Sequence, residues 1–157
     1  MCCASGRERK FLVFRLNPEL QIGIAPESTA RFKAKVRELW RTCQSRTSNE
    51  LREAWRSFIR GWWEYFQLAE DRRPIYRLEG WIRRHIRKYF WWRWHNKKGR
   101  ERKLSALGVK GRLLQVASSV RGAWRIAGAR GMHTALNNAV LLKAGFVMPS
   151  DLAAKSR

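Results

Sequence analysis

The chain has 157 residues, and its 34 Lys and Arg against 12 Asp and Glu give a formal charge of +22 spread from Arg7 to Arg157. A hydrophobic share of 45% with nine tryptophans is enough for a folded core and excludes a disordered basic tail. So much positive charge on a compact fold repels itself, and a polyanion relieves that repulsion, so RNA, DNA or an anionic membrane is the expected class of partner.

The first ten residues, Met1 to Lys10, lack the apolar stretch of a signal peptide. Nowhere does a run of about 18 apolar residues promise a membrane span. Cys2, Cys3 and Cys43 are odd in number, and none stands at a zinc-ligand spacing from His85, His95 or His133. A reducing cytoplasm, no metal and no cofactor are the expectations.

Phe11–Leu16 and Leu20–Ile24 read as two short strands around the turn Asn17-Pro18-Glu19, a ribbon too small to be stable alone. Pro26 and Ser28 start a first helix, near 28–44, with Phe32, Val36, Leu39, Trp40 and Cys43 at helical spacing. Arg31, Lys33, Lys35 and Arg37 make its outer side basic. Thr47 with Glu50 forms a capping box for a second helix, near 48–68, carrying Leu51, Trp55, Phe58, Ile59, Trp62 and Phe66. Asp71-Arg72-Arg73-Pro74 ends it.

The third helix, near 75–95, packs four tryptophans and five Lys or Arg into residues 81–94. Its periodicity places Leu78, Trp81, Ile82, His85, Ile86, Tyr89 and Trp92 on a buried face and Arg83, Arg84, Arg87, Lys88, Trp91 and Trp94 on an exposed one. Guanidinium groups mixed with indole rings suit phosphates beside unstacked bases. Packing against the C-terminal part would explain Trp91 and Trp94 as well. Trp40, Trp55, Trp62, Trp81 and Trp92 read as core, and His85 as a hydrogen-bonded core histidine. Asn96-Lys97-Lys98-Gly99 closes the helix, with Gly99 suited to a left-handed C-terminal position.

Beyond it, carboxylates are too scarce to pair Lys97, Lys98, Arg100, Arg102 and Lys103, which makes these residues candidates for phosphate contact. Shorter helices follow over 101–107 (ended by Gly108), 112–127 and 132–144 (ended by Gly145), and a fraying tail over 149–157. The fold class is mainly α: a short N-terminal β-ribbon, a three-helix bundle and a smaller helical unit.

Several local patterns occur in order. They are Phe11-Leu12-Val13-Phe14, Ile24-Ala25-Pro26 with Arg31-Phe32-Lys33, Ile59-Arg60-Gly61-Trp62 with Tyr65-Phe66, and Leu78 with Trp81-Ile82-Arg83-Arg84. Together they resemble the end of the reverse transcriptase domain and the following thumb, or maturase domain, of proteins encoded by group II introns. Arg121-Gly122-Ala123-Trp124-Arg125 and Ala135-Leu136-Asn137-Asn138 before Gly145-Phe146 resemble the same family's C-terminal helical region. The resemblance covers about residues 10–150. It implies a palm-end ribbon over 1–24, a three-helix thumb over 25–98 and a nucleic-acid-binding region over 99–157.

From the family come a grip on RNA by the first and third helices, so by Arg31, Lys33, Lys35 and Arg37 beside the third-helix cations, and nucleic-acid contact at Arg121, Trp124 and Arg125. The family's Tyr-x-Asp-Asp motif has no counterpart, since Asp71 and Asp151 are the only aspartates and two-metal phosphoryl transfer needs clustered carboxylates. The expectation is therefore a non-catalytic, cytoplasmic RNA-binding module for group II intron RNA or a related structured RNA, with DNA as a further partner. The alternatives are the thumb of a split reverse transcriptase whose palm is a separate chain, and a remnant of a decayed intron protein.

Overall fold

The computed structural model describes residues 10–11, 14–16, 21–41 and 45–155. Cys43 and the turn 17–19 lie outside them. The run expected as one strand over 11–16 instead folds back on itself. Strand β1 (Lys10–Phe11) pairs antiparallel with β2 (Phe14–Leu16), Phe11 opposite Phe14, and β2 pairs with β3 (Ile22–Ile24), Phe14 opposite Ile24. Backbone N–H groups of Glu70 and Asp71 donate to the Ile22 carbonyl, and Ile22 N–H donates to the Glu70 carboxylate. The ribbon is thereby tied to the loop between the second and third helices.

Helix α1 (Pro26–Arg41) buries Ser28, Phe32, Val36, Leu39 and Trp40, a stripe at three- and four-residue intervals. Helix α2 (Ser48–Phe66) starts with the expected reciprocal capping box of Thr47 and Glu50. Its buried stripe is Leu51, Trp55, Ile59, Trp63 and Phe66. Trp62, expected in the core, is half-buried against Phe32 and Phe66, with ring centroids 4.6 and 4.7 Å away. Trp63 takes the buried place because a second apolar cluster, built on Ile24, Phe66, Ala69 and Ile75, covers that end of the helix.

Helix α3 (Arg73–Arg93) has Pro74 in its first turn. The chain does not close at Gly99. His95 takes the left-handed conformation (φ 42°) and Asn96 caps a new helix, α4 (Lys97–Ala106), by accepting from Gly99 N–H at 2.8 Å. Gly99 answers a close approach instead: a Cβ there would lie 2.8 Å from the Trp94 carbonyl oxygen. Gly108, at φ 84°, ends α4 as expected.

The helix expected over 112–127 is two pieces, a 3-10 helix (Gly111–Ser118) and α5 (Ala123–Ile126). Ser118 Oγ–H donates back to the Gln115 carbonyl and Ser119 Oγ accepts from Arg121 N–H. Such local bonds offer the backbone an alternative to a continued helix. The helix expected over 132–144 is likewise split into α6 (Arg130–Ala135) and α7 (Asn138–Lys143), with the Asn137 side chain capping α7 through Val140 N–H. Among its described residues the tail is helical rather than frayed. Residues Pro149–Lys155 form α8, where Asp151 accepts from Met148 N–H, and Ser150 gives its N–H and hydroxyl to the Glu79 carboxylate at 2.6 and 3.0 Å.

Helices α1, α2 and α3 share one apolar cluster with Leu104, Met132, Leu141 and Phe146 of the C-terminal pieces. Trp40 is its hub, with Trp55, Tyr89 and Phe146 at centroid distances of 6.2, 5.7 and 5.8 Å. Across α2 the returning segment is latched by Trp55 Nε1–H to the Val147 carbonyl at 2.9 Å and by Arg56 to the Gly145 carbonyl at 3.1 Å.

Packing between α6 and the 3-10 helix leaves no room at Gly131, where a Cβ would lie 2.6 Å from the Leu113 carbonyl oxygen, whereas at Gly61 nothing lies within 4 Å. Gly131→Ala is expected to lower the unfolding free energy by about 1–3 kcal/mol. Gly61→Ala, in an exposed helix interior, should raise it by about 1 kcal/mol. Chemical denaturation of both variants checks the pair.

Candidate nucleic-acid interface

Helix α3 meets partners on more than one side, and this decides which of its cations face solvent. Arg87, expected to be exposed, is only 5% exposed: its Nε–H donates to the Leu136 carbonyl at 3.0 Å, and Nη1 lies 3.4 Å from His133 Nε2. Arg83 is mostly covered and donates to the buried Glu79 carboxylate at 2.9 Å. Arg84 is half-buried, with Nε–H on the Trp124 carbonyl and its guanidinium 4.5 Å from the Trp124 ring centroid. Trp91, expected to share an exposed face with these arginines, is 3% exposed, and the Arg100 guanidinium stacks 3.9 Å over its ring. A helical wheel assumes one covered face; the C-terminal pieces cover a second.

Trp81 and Trp92, expected in the core, are half-buried and line an open cleft of about 520 Å3 between α1, α3 and α5, together with Trp40, His85, Trp124, Arg37, Arg41 and Lys88. Cations lie over its aromatic faces: Lys33 at 5.9 Å and Arg37 at 5.5 Å from Trp81, and Lys88 at 4.4 Å from Trp92. On α1, Arg31 and Arg37 are exposed, and exposed Lys35 pairs with Glu38 at 3.0 Å.

Sequence periodicity missed Arg41 and the cleft-facing role of Trp81, His85 and Trp92. The four-residue step from Arg37 to Arg41 and from Trp81 to His85, extended by seven to Trp92, was the available signal. His85 is 8% exposed between the rings of Trp81 and Trp124, at centroid distances of 4.3 and 4.7 Å. Burial first, then Lys88 and Arg37, pushes its pKa down from 6.5 to about 4, so the imidazole is neutral at physiological pH.

A second basic hollow, about 490 Å3, opens at the turn from α3 to α4 and is lined by Arg93, Trp94, His95, Lys98, Arg102 and Lys103. Lys97 beside it lies 3.8 Å from Glu101. A third, of about 660 Å3, is lined by Arg121 and Arg125 with Gln115, Ser118 and Ser119. Trp124 of the same segment points its chemistry elsewhere, to Arg84 and His85. Among the described residues no group of three His, Cys, Asp or Glu side chains could hold a metal ion, and no helix is long and apolar enough to cross a membrane.

The basic, tryptophan-rich core of this arrangement, from α1 through α4, coincides with a match between residues 29–108 and the family model for the group II intron maturase-specific domain. That span is just over half of the chain. The chain belongs to the group II intron maturase family. Among curated proteins none matches it. Within this maturase chain the matched helices supply the α3–α4 turn and the α1 and α3 sides of the Arg37–Lys88 cleft, while Arg121, Arg125 and the cleft's Trp124 lie beyond the matched span.

The low pKa of His85 fixes a pH dependence. Below about 6.5 the unfolded chain takes up a proton that the folded chain refuses until about 4, so stability rises with pH across that window and is level above it. The contribution is on the order of 3 kcal/mol. Denaturation between pH 4 and 7 should show this slope, and His85→Gln should reduce it to the part owed to His133, whose pKa burial also lowers.

Proposed function

We propose that this maturase-family chain holds structured group II intron RNA through phosphate contacts and assists its folding for splicing in the cytoplasm, without polymerase chemistry of its own. The single observation that carries the reading is the exposed cation group at the α3–α4 turn. Lys98, Arg102 and Lys103 are exposed beside Trp94. A solvated face of this kind gains from phosphate contact because condensed counterions are released. Arg31, Lys33, Lys35 and Arg37 on α1, with Arg84, Lys88, Lys97 and Arg100, add further cations along the matched helices, and Arg121 and Arg125 extend the set by resemblance. Arg83, Arg87 and Trp91 are assigned to the protein interior. The scarcity of clustered carboxylates supports a binding role over a catalytic one.

The test is a salt series on the full chain with a group II intron RNA and with a tRNA competitor. Intron preference with a steep fall of affinity in salt is expected. Lys98→Gln, Arg102→Gln and Lys103→Gln should each reduce the log–log slope by about one unit for every phosphate left without its cation. Equal affinity for tRNA, or a flat salt response, overturns the reading.

A second reading is favoured by one apolar surface. Phe14, Arg15, Leu16, Ile22 and Leu68 line a hollow of about 350 Å3, with Leu68 70% and neighbouring Tyr65 53% exposed. An apolar hollow with exposed apolar neighbours suits a further protein surface, as a reverse transcriptase palm on a separate chain would supply. Co-purification with a palm protein encoded nearby, abolished in Leu68→Lys, is the expected result, and no association overturns it.

A further inference from the structure

We propose that the cleft between α1, α3 and α5 receives a single base extruded from the bound RNA. This inference rests on the RNA-binding reading and names a specific ligand for one site within it. The volume of about 520 Å3 lies within the range of about 300–1,000 Å3 usual for small-molecule sites, and the walls are indole rings. Trp81 and Trp92 are half-buried, so part of each ring is open to the cleft. Sequence-tolerant stacking on an aromatic face is how an unpaired base is ordinarily held.

The floor supplies a second observation. Trp40 is 2% exposed and His85 8% exposed, both line the cleft, and Trp40 Nε1 and His85 Nδ1 have no hydrogen-bond partner. Buried polar groups are almost always bonded, and an unmet one is costly. An indole N–H can only donate, whereas a neutral imidazole nitrogen donates or accepts according to its tautomer. The edge of a base offers both complements. The Trp81 and Trp124 rings flank His85 at 4.3 and 4.7 Å, so an incoming base reaches the floor by taking the place of one ring, stacking for stacking.

The rim completes the match with a nucleotide. Arg37 sits over Trp81 and Lys88 over Trp92. Each of these cations can leave its ring face for the phosphates on either side of the inserted base, so the ring is freed for stacking as the charge is neutralised. Neutral His85 adds no charge to a site already crowded with cations.

The experiment uses the full chain and a set of RNA hairpins: fully paired, with one bulged A, C, G or U, and with an abasic residue at the bulge, beside AMP as the free-nucleotide probe. Affinity is read by anisotropy or calorimetry at fixed salt. Bulged hairpins should bind about 5- to 150-fold tighter than the paired one, the value of one stacked base, and the abasic hairpin should bind like the paired one. Trp81→Leu and Trp92→Leu should bring the ratio of bulged to paired affinity down to about one. Thermal melts first establish that each variant is folded, and Arg37→Gln, at an exposed position, provides a second variant with a smaller effect. Equal affinity for bulged and paired hairpins, with a steep salt slope for both, overturns the base cleft and leaves the RNA-binding reading standing. Absence of salt-dependent binding to any hairpin overturns both. AMP binding as tightly as the bulged hairpins overturns the RNA source in favour of a free nucleotide.

Discussion

Four guanidinium–carbonyl bonds hold the C-terminal half in place. Helices α5, α6 and α7 have four, six and six residues. A helix leaves its last four carbonyls without intrahelical donors, so elements this short can barely satisfy their own backbone. Arg84 reaches the Trp124 carbonyl, Arg87 that of Leu136, Arg52 that of Ala144 and Arg56 that of Gly145. Leu136 and Ala144 are the C-terminal caps of α6 and α7, where the helix dipole is negative and a cation is favoured. The donors are paired at i,i+4 on α2 and i,i+3 on α3, so each long helix presents two forks from one face. Arginine suits the task because its several N–H groups are fixed in one plane and it keeps its charge when partly desolvated. The short helices could not persist without the long ones, and the aromatic hub that needs Phe146 depends on the same bonds.

This division of the cations explains how so basic a chain tolerates a compact state. Arg87 is buried on a carbonyl and Arg83 is mostly covered on Glu79, the carboxylate that also anchors α8 through Ser150. Lys97, Lys98 and Lys103 stay on the outer surface of α4. At these positions the choice of arginine for burial and lysine for the surface follows hydration: an ammonium is strongly hydrated, while a guanidinium gives up water more readily for planar partners. The exposed cations at the α3–α4 turn and along α1 are left without enough carboxylates to offset their repulsion, and counterion release favours a polyanion there.

The amino-acid sequence made the three long helices legible because each carries a strong 3.6-residue stripe and α2 carries a complete capping box. It concealed what the stripe does not encode. A helical wheel allows for one covered face, so Arg87 read as exposed until partners 46 and 49 positions away in the chain were in place, and Trp91 until α4 brought Arg100 over its ring. Gly99 read as a helix stop because the Asn96 side chain that restarts the helix looks the same in a loop. The breaks at Ser118-Ser119 and Leu136-Asn137 depend on side chains bonding the local backbone, a preference worth little until tertiary packing decides it. The tail read as free because nothing local in it marks a partner, and Glu79, which accepts from Ser150, lies 71 positions earlier in the chain.

The tryptophans answer a shortage of acids. With 34 Lys and Arg against 12 Asp and Glu, most cations can find no carboxylate, and the faces of indole and phenol rings serve instead. Eight cation–ring pairs occur among the described residues, Lys88 taking part in two, where about two significant pairs are usual for a chain of this length. A cation on a ring is stabilised by about 0.5–1 kcal/mol at an exposed site, comparable to a surface ion pair, but the ring brings no charge of its own. Pairing with carboxylates would have cancelled the positive field that draws a polyanion. Pairing with rings leaves the field intact and keeps the cations loosely held, ready for phosphates.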